Sequence, residues 1–257
     1  MFIDKKGVNA KSELFENINI LNRYKIDDAY YQKWLSNYLE FKKNQKTIPQ
    51  QFQRQKYLNK LFILDLISLT VLNIPTNSNY NLFIKLKNYF NKINIRIESE
   101  KVNLQNEKYL FHALQVNCDS QVVMNSNITN LDAIKLSNKI ALSKGVLHLV
   151  KFHPAETDPY FIQSVFALKK ELQFKVVNDN SFELIKNAEI VTTINSTIAL
   201  EAKILGKKVE LFGRSFYNSL TKANIPKYIL GHLINIDFFS TNVIDYEIYK
   251  DIKSRIN

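Results

Sequence analysis

Three short polar stretches, Gln115 to Gln121 (QVNCDSQ), His153-Pro154 and Asn195-Ser196-Thr197, hold the side chains best suited to chemistry at a phosphorylated carbon. An imidazole whose backbone is fixed by a following proline can donate to a phosphate, and the start of a helix offers donors to its other oxygens. A carboxylate in an adjoining loop, Asp119, can then act at a carbon attached to that phosphate. Two of the stretches also have a plainer reading. Ser196 or Thr197 serves equally as a helix cap, and His153 as a capping or buried histidine. Three such stretches in one domain favour a site.

Groups so far apart in sequence converge only if the fold brings them together, and a short apolar run precedes each stretch. Strands are predicted at Tyr109 to Leu114, Val146 to Phe152, Phe174 to Val177, Ile190 to Ile194 and Lys208 to Phe212. Helices are predicted between them, at about Leu131 to Ser143, Pro159 to Leu172, Ser181 to Ala188 and Thr197 to Leu205. This alternation is the pattern of a doubly wound α/β sheet, in which ligands bind outside the carboxyl ends of the strands. All three polar stretches leave such ends. The sequence carries no GxGxxG and no P-loop, which removes the main support for a dinucleotide or ATPase site.

The first hundred residues read as mainly helical. Phe2 to Ser12 looks like a strand end and a loop turned by Gly7 and Asn9. Asp27 to Gln45 opens with acidic residues, ends in lysines, and spaces Tyr31, Trp34, Leu35, Tyr38, Leu39 and Phe41 as an amphipathic helix. That aromatic stripe reads as core packing rather than a sugar platform. Further helices are predicted at Phe52 to Leu72 and Asn79 to Asn91, and a strand at Ile93 to Glu98.

Composition narrows the class. The 257 residues are 46% hydrophobic without a low-complexity tract, so a globular protein is expected. A single cysteine, Cys118, excludes a disulfide framework and a multi-cysteine zinc site, and fits the reducing cytoplasm. Met1 to Asn9 lacks the apolar segment of a secretory signal. Leu61 to Ile74, interrupted by Asp65, is too short and too polar to span a bilayer. The formal charge of +11 permits attraction to anionic substrates, lipids or nucleic acid, but the lysines are spread and no RNP-like motif appears, so nucleic acid is not an expected partner. His112, His148 and His232 have no metal-ligand spacing with one another or with Cys118, and no metal is expected. GxSxG is absent, and Asp27-Asp28 is a helix start.

Phe111 to Gln121 (FHALQVNCDSQ), Lys151 to Pro154 (KFHP), Asn195 to Tyr217 (NSTIALEAKILGKKVELFGRSFY) and Asp4 to Asn9 (DKKGVN) together resemble the bacterial capsule polysaccharide biosynthesis family, whose characterised members are β-Kdo transferases. The His-Pro and Ser-Thr pair is also similar to that of bacterial polysialyltransferases and teichoic acid polymerases. The resemblance implies a retaining, metal-independent GT-B glycosyltransferase with no cofactor, which uses CMP-Kdo or a similar CMP-sugar as donor. Its acceptor would be a capsule glycan or a glycolipid anchor, in a cytoplasmic protein with peripheral contact to the anionic inner membrane. His153, Ser196 and Thr197 would hold the CMP phosphate, with Pro154 and Asn195 in the same loops. Asp119 would be the carboxylate beside the anomeric carbon. Glu201, one helical turn beyond Thr197, would face ribose hydroxyls or solvent. Lys151, two residues before His153, would add positive charge or lie at the surface.

The implied fold is α/β and GT-B-like. A Rossmann-like nucleotide-sugar-binding domain covers residues 106–217, and a return segment covers 218–257. Family members carry a fuller N-terminal domain before the DKKGVN-like motif, which stands here at the start of the chain. Residues 1–105 are therefore expected to form a shortened, mainly helical, incomplete acceptor-side domain. A catalytically idle relative that assists a capsule-assembly complex is the alternative function. His112-Ala113 replaces a usual proline and Ala199 an often-found glycine, changes that bear on packing more than on chemistry.

Overall fold

Every residue of the strand Tyr109–Ala113 (β1) is buried, which requires a run covered on both faces. It lies at the centre of a five-stranded, wholly parallel sheet in the order β3-β2-β1-β4-β5, with β2 Leu147–Lys151, β3 Lys175–Val176, β4 Ile190–Thr193 and β5 Lys208–Leu211. Phe111 is paired with Leu149 on one side and with Val191 on the other. The computed structural model describes residues 2, 4–44, 97–236 and 243–256. By contact the chain divides into two compact units, Met1–Lys33 with Ile97–Asn257, and Trp34–Arg96.

The alternation of side chains along a strand sorts the sheet into two faces. Tyr109, Phe111, Ala113, Leu149 and Val191 share a cluster with Leu184, Ile185, Ala188 and Ala202. These last come from or adjoin helices α6 (Ser181–Asn187) and α7 (Ile198–Ile204). Each fully buried Leu, Val or Phe here contributes about 1.5–3 kcal/mol. On the opposite face Leu110 and Ile190 meet Ala141 of α4 (Asn130–Lys144). That face is partly polar. His112 Nδ1 lies 2.9 Å from both Thr192 Oγ1 and Ser137 Oγ, and the two hydroxyls are 2.9 Å apart, with all three residues fully buried. Burial holds the His112 imidazole neutral, lowering its pKa to about 3. His148 is lowered well below its usual value, first by burial and then by His112.

Local signals account for the helix ends. Thr129 and Asp132 form a reciprocal capping box at the start of α4, and Gly145, with φ +63°, closes it in the left-handed conformation. Asp158 accepts hydrogen bonds from Tyr160 and Phe161 N–H at the start of α5 (Pro159–Glu171), and Asn180 caps α6. The predicted strands and helices of this region stand within two residues of their observed limits.

The N-terminal segment differs from expectation in detail. Gly7 and Asn9 do turn the chain with positive φ, but short helical turns at Asn9–Lys11, Glu13–Glu16 (α1) and Ile18–Arg23 follow, and no strand is described there. Leu14 and Leu21 are buried with Phe216, Tyr217, Leu220, Ile225 and Tyr228, so residues from both ends of the chain share one cluster. Helix α2 (Asp28–Asn44) forms where predicted, yet none of its residues is buried. Its stripe is half-buried: Tyr31 packs against the cluster of Leu14 and Phe216, and Trp34 and Tyr38, four positions apart on one helix face, stack on each other at 5.0 Å, while Phe41 is exposed. The helices predicted at Phe52 to Leu72 and Asn79 to Asn91 lie outside the described residues, as does most of Ile93 to Glu98. A final amphipathic helix, α8, spans Tyr246–Ile256. No helix among the described residues is long and apolar enough to cross a membrane.

Candidate functional site

β1, β2 and β4 are neighbours in the sheet, so the three polar loops leave adjacent carboxyl ends. β1 is the point at which the connections turn from one side of the sheet to the other, the usual ligand crevice of such a fold. In the first loop, expected to be irregular throughout, Asp119 is the N-cap of a short helix, α3 (Ser120–Asn125). Its Oδ1 accepts from Gln121 N–H at 2.8 Å.

In the second loop His153 is exposed, and its Nδ1 accepts from Ala155 N–H at 3.1 Å. The proton of the neutral ring is thereby placed on Nε2, which becomes a donor. Partial desolvation lowers the His153 pKa, outweighing the pull of Asp119 and Glu156 in the other direction. In the third loop Ser196 Oγ accepts from Ile198 N–H at 3.3 Å, while exposed Thr197 makes no side-chain cap. Glu201 follows in the first turn of α7.

Two of the expected ligand-binding residues are committed elsewhere. Asn195 is 2% exposed. Its Oδ1 accepts from Gln115 Nε2 at 3.0 Å, its backbone N–H donates to Gln115 Oε1 at 2.9 Å, and its Nδ2 donates to Gln121 O at 2.8 Å. Its carbonyl accepts from Asn9 Nδ2 at 3.0 Å. Asn195 therefore joins the loops rather than presenting an amide to a ligand. Lys151 donates through Nζ to Asp179 O at 2.6 Å and to Ser181 Oγ at 3.0 Å. It leans toward the loop after β3, on the side of β2 away from β4, and desolvation lowers its pKa.

The other residues that hold the loops together are ones to which sequence reasoning gave no role. Asn130 exchanges two hydrogen bonds with the backbone of Gln115, at 3.3 and 3.1 Å. Buried Glu156 accepts from Asn117 N–H through Oε2, and from Thr157 and Asp158 N–H through Oε1, all at 2.8 Å. Beyond β5, Gly213 N–H donates to Ile194 O at 2.8 Å, and Arg214 donates to the carbonyls of Asn125 and Met124 at the end of α3. In sequence, Glu156 is one acidic residue in an exposed-looking turn. Only the proline-led start of α5 just after it signals a fixed loop.

The arrangement places a neutral imidazole donor, two hydroxyls and one carboxylate in loops at three adjacent strand ends. A cavity of about 500 Å³ lies elsewhere, lined by Asp4, Arg23, His232 and Arg255 among others, and shares no residue with the three loops. Among the described residues no three His, Cys, Asp or Glu side chains gather closely enough to hold a metal ion.

Comparison with known proteins yields relatives at several distances. Protein FixF of Sinorhizobium fredii (strain NBRC 101917 / NGR234) is 34% identical over 116 residues, 43% of this chain, and the chain spans only 27% of FixF. Among solved structures, the β-Kdo 2,7 transferase of Thermosulfurimonas dismutans KpsC is 17% identical, with a TM-score of 0.41, over 69% of this chain and 62% of that one. The β-Kdo 2,4 transferase of the same protein is 23% identical, with a TM-score of 0.35, over 44% of this chain and 36% of that one. The sequence profile of the capsule polysaccharide biosynthesis proteins matches residues 1–224, which include all three loops and the Asn9 segment that meets them, and the chain belongs to that family.

Proposed function

We propose that the protein is a glycosyltransferase that moves Kdo, or a similar acidic sugar, from a CMP-sugar donor to a capsule glycan or its lipid anchor. The observation that carries this reading is the convergence of Asp119, His153 and Ser196-Thr197 on three adjacent strand ends, fixed by Asn195 and Glu156. Family membership supplies the biosynthetic setting.

In this reading the His153 Nε2–H and the Ser196 and Thr197 hydroxyls donate to the CMP phosphate, and Pro154 stiffens the His153 loop. Charge-assisted hydrogen bonds of this kind lower the basicity of the leaving phosphate. Asp119 attacks the anomeric carbon as the bond to the phosphate oxygen breaks and its electron pair leaves with CMP. The acceptor hydroxyl then displaces the Asp119 carboxylate, its proton passing to the released CMP phosphate, and two inversions yield net retention. Glu201 faces the ribose hydroxyls. The reading invokes no metal and no cofactor. It places the protein in the cytoplasm, with its net positive charge of +11 favouring peripheral contact with an anionic membrane.

The deciding experiment combines thermal shift in CMP, ADP and UDP with transfer from a CMP-Kdo generating system to a Kdo-terminated or lipid acceptor. Selective stabilisation by CMP together with transfer supports the reading. Equal shifts for all nucleotides, or none at millimolar CMP, would sink the site. Selective CMP binding without transfer would instead favour an idle member that assists a capsule-assembly complex.

A further inference from the structure

We infer that Glu156 is a positioning residue that sets the placement of Asp119 relative to His153, an inference that rests on the glycosyltransferase reading for its catalytic consequence. Glu156 is 8% exposed, and the three hydrogen bonds its carboxylate accepts all come from backbone N–H groups. Two are local: Thr157 and Asp158 N–H converge on Oε1 and shape the turn ahead of α5. The third is not. Oε2 reaches Asn117 N–H, 39 residues away in sequence.

The positions of these groups give the third bond its meaning. Asn117 lies two residues before Asp119, and Glu156 three residues after His153. A second link runs beside the first, from Asn117 Nδ2 to Asp158 Oδ2 at 3.2 Å, but Asp158 uses its other oxygen to cap α5, so that link depends on the same turn. One buried carboxylate thus ties the loop of the attacking acid to the loop of the phosphate donor. A carboxylate suits the task because it accepts on both oxygens and donates on neither.

That asymmetry supplies the test. In Glu156→Gln the carbonyl oxygen keeps the two local bonds, while the new NH₂ faces the Asn117 N–H, donor against donor. The substitution removes the bond from Asn117 N–H and spares the turn, leaving the longer Asn117–Asp158 bond in place. Cys118, exposed and the only cysteine of the chain, lies between Asn117 and Asp119 and reports on that loop.

Wild type, Glu156→Gln and Glu156→Asp are compared as full chains in two assays. Alkylation of Cys118 by iodoacetamide is expected to be severalfold faster in both variants, since Asp withdraws the carboxylate by one methylene. With the CMP-Kdo system, kcat is expected to fall about 10- to 100-fold, with the CMP-induced thermal shift retained, because His153, Ser196 and Thr197 are left in place. If one variant fails to fold, the other carries the test. Unchanged Cys118 labelling would overturn the inference, and so would a loss of CMP binding in step with kcat, the mark of a general structural defect. A wild type without CMP binding or transfer removes the functional reading, and the labelling rates then decide the link between the loops by themselves.

Discussion

Gln115 and Asn195, eighty residues apart, exchange a pair of hydrogen bonds across the ends of β1 and β4, one to the Asn195 side chain and one to its backbone. Both residues are buried, so neither bond competes with water. The pair fixes how far the Asp119 loop stands from Ser196-Thr197.

Asn195→Ala deletes the acceptor for Gln115 Nε2, in a buried residue, and the donor for Gln121 O, in a half-buried one. Each such orphan costs about 1–3 kcal/mol. The expected result is a clear fall in chemical-denaturation midpoint at unchanged slope, with loss of CMP-induced stabilisation. A variant as stable as wild type would show that the crevice re-pairs these groups.

His153→Ala is expected to leave the fold intact, since the exposed ring accepts only one local hydrogen bond, from Ala155 N–H. CMP affinity, read by calorimetry, should fall by about 1.5–3 kcal/mol, one charge-assisted hydrogen bond. Unfolding of the variant would make His153 a structural residue.

Asp119→Asn preserves the shape of the α3 cap and its acceptor oxygen while removing the nucleophilic charge. Transfer should fall by orders of magnitude, with CMP binding retained. Equal transfer by variant and wild type takes Asp119 out of the mechanism.

Acid should destabilise the protein in a defined window. His112 has a folded pKa of about 3, and that of His148 lies well below its usual value, so the unfolded chain binds protons that the folded one does not. Their contribution is complete above the unfolded value of about 6.5 and is lost as pH falls toward the folded values, with a slope of up to about 1.4 kcal/mol per pH unit for each. Urea titrations at pH 7.5, 6 and 5 measure it. His112→Asn should flatten the dependence, and an equally steep loss in that variant would assign it elsewhere.

Gly213→Ala tests the close approach of the β4 and β5 loops. An added Cβ would lie 2.7 Å from Ile194 Cγ2 and 3.2 Å from Ile194 O. The loop must shift, at a cost of about 1–3 kcal/mol, which a thermal melt will register. An unaltered melting temperature would mean that Ile194 yields freely.

The sheet was legible in the sequence because its central strands β1 and β4 are buried throughout and all five read as short, mainly apolar runs, and because Gly145, Asp158-Pro159 and Asn180 punctuate the helices. The three loops followed from that order. Their internal chemistry was only half legible. Asn195 precedes a Ser-Thr pair, where an amide that binds a ligand and one that ties loops together look alike. Lys151 was placed by strand parity, and it stays on the face it shares with Leu149, but its long side chain is taken up by Asp179 and Ser181 at the start of α6. Glu156 and Gln115 act through contacts 39 and 80 residues away, and no local pattern encodes them. The α2 aromatics carry a core-like period, but a period specifies one face of a helix and not what covers it.

The cluster that unites Leu14 and Leu21 with Phe216, Tyr217 and Tyr228 has a consequence for synthesis. The chain leaves the ribosome N-terminus first, at about 5–20 residues per second, so the 186 residues between Asn9 and its partner Asn195 take roughly 10–40 s to make. Throughout that interval the opening segment has no surface on which to settle. Its leucines stay within reach of chaperones and proteases until residues 216–228 emerge.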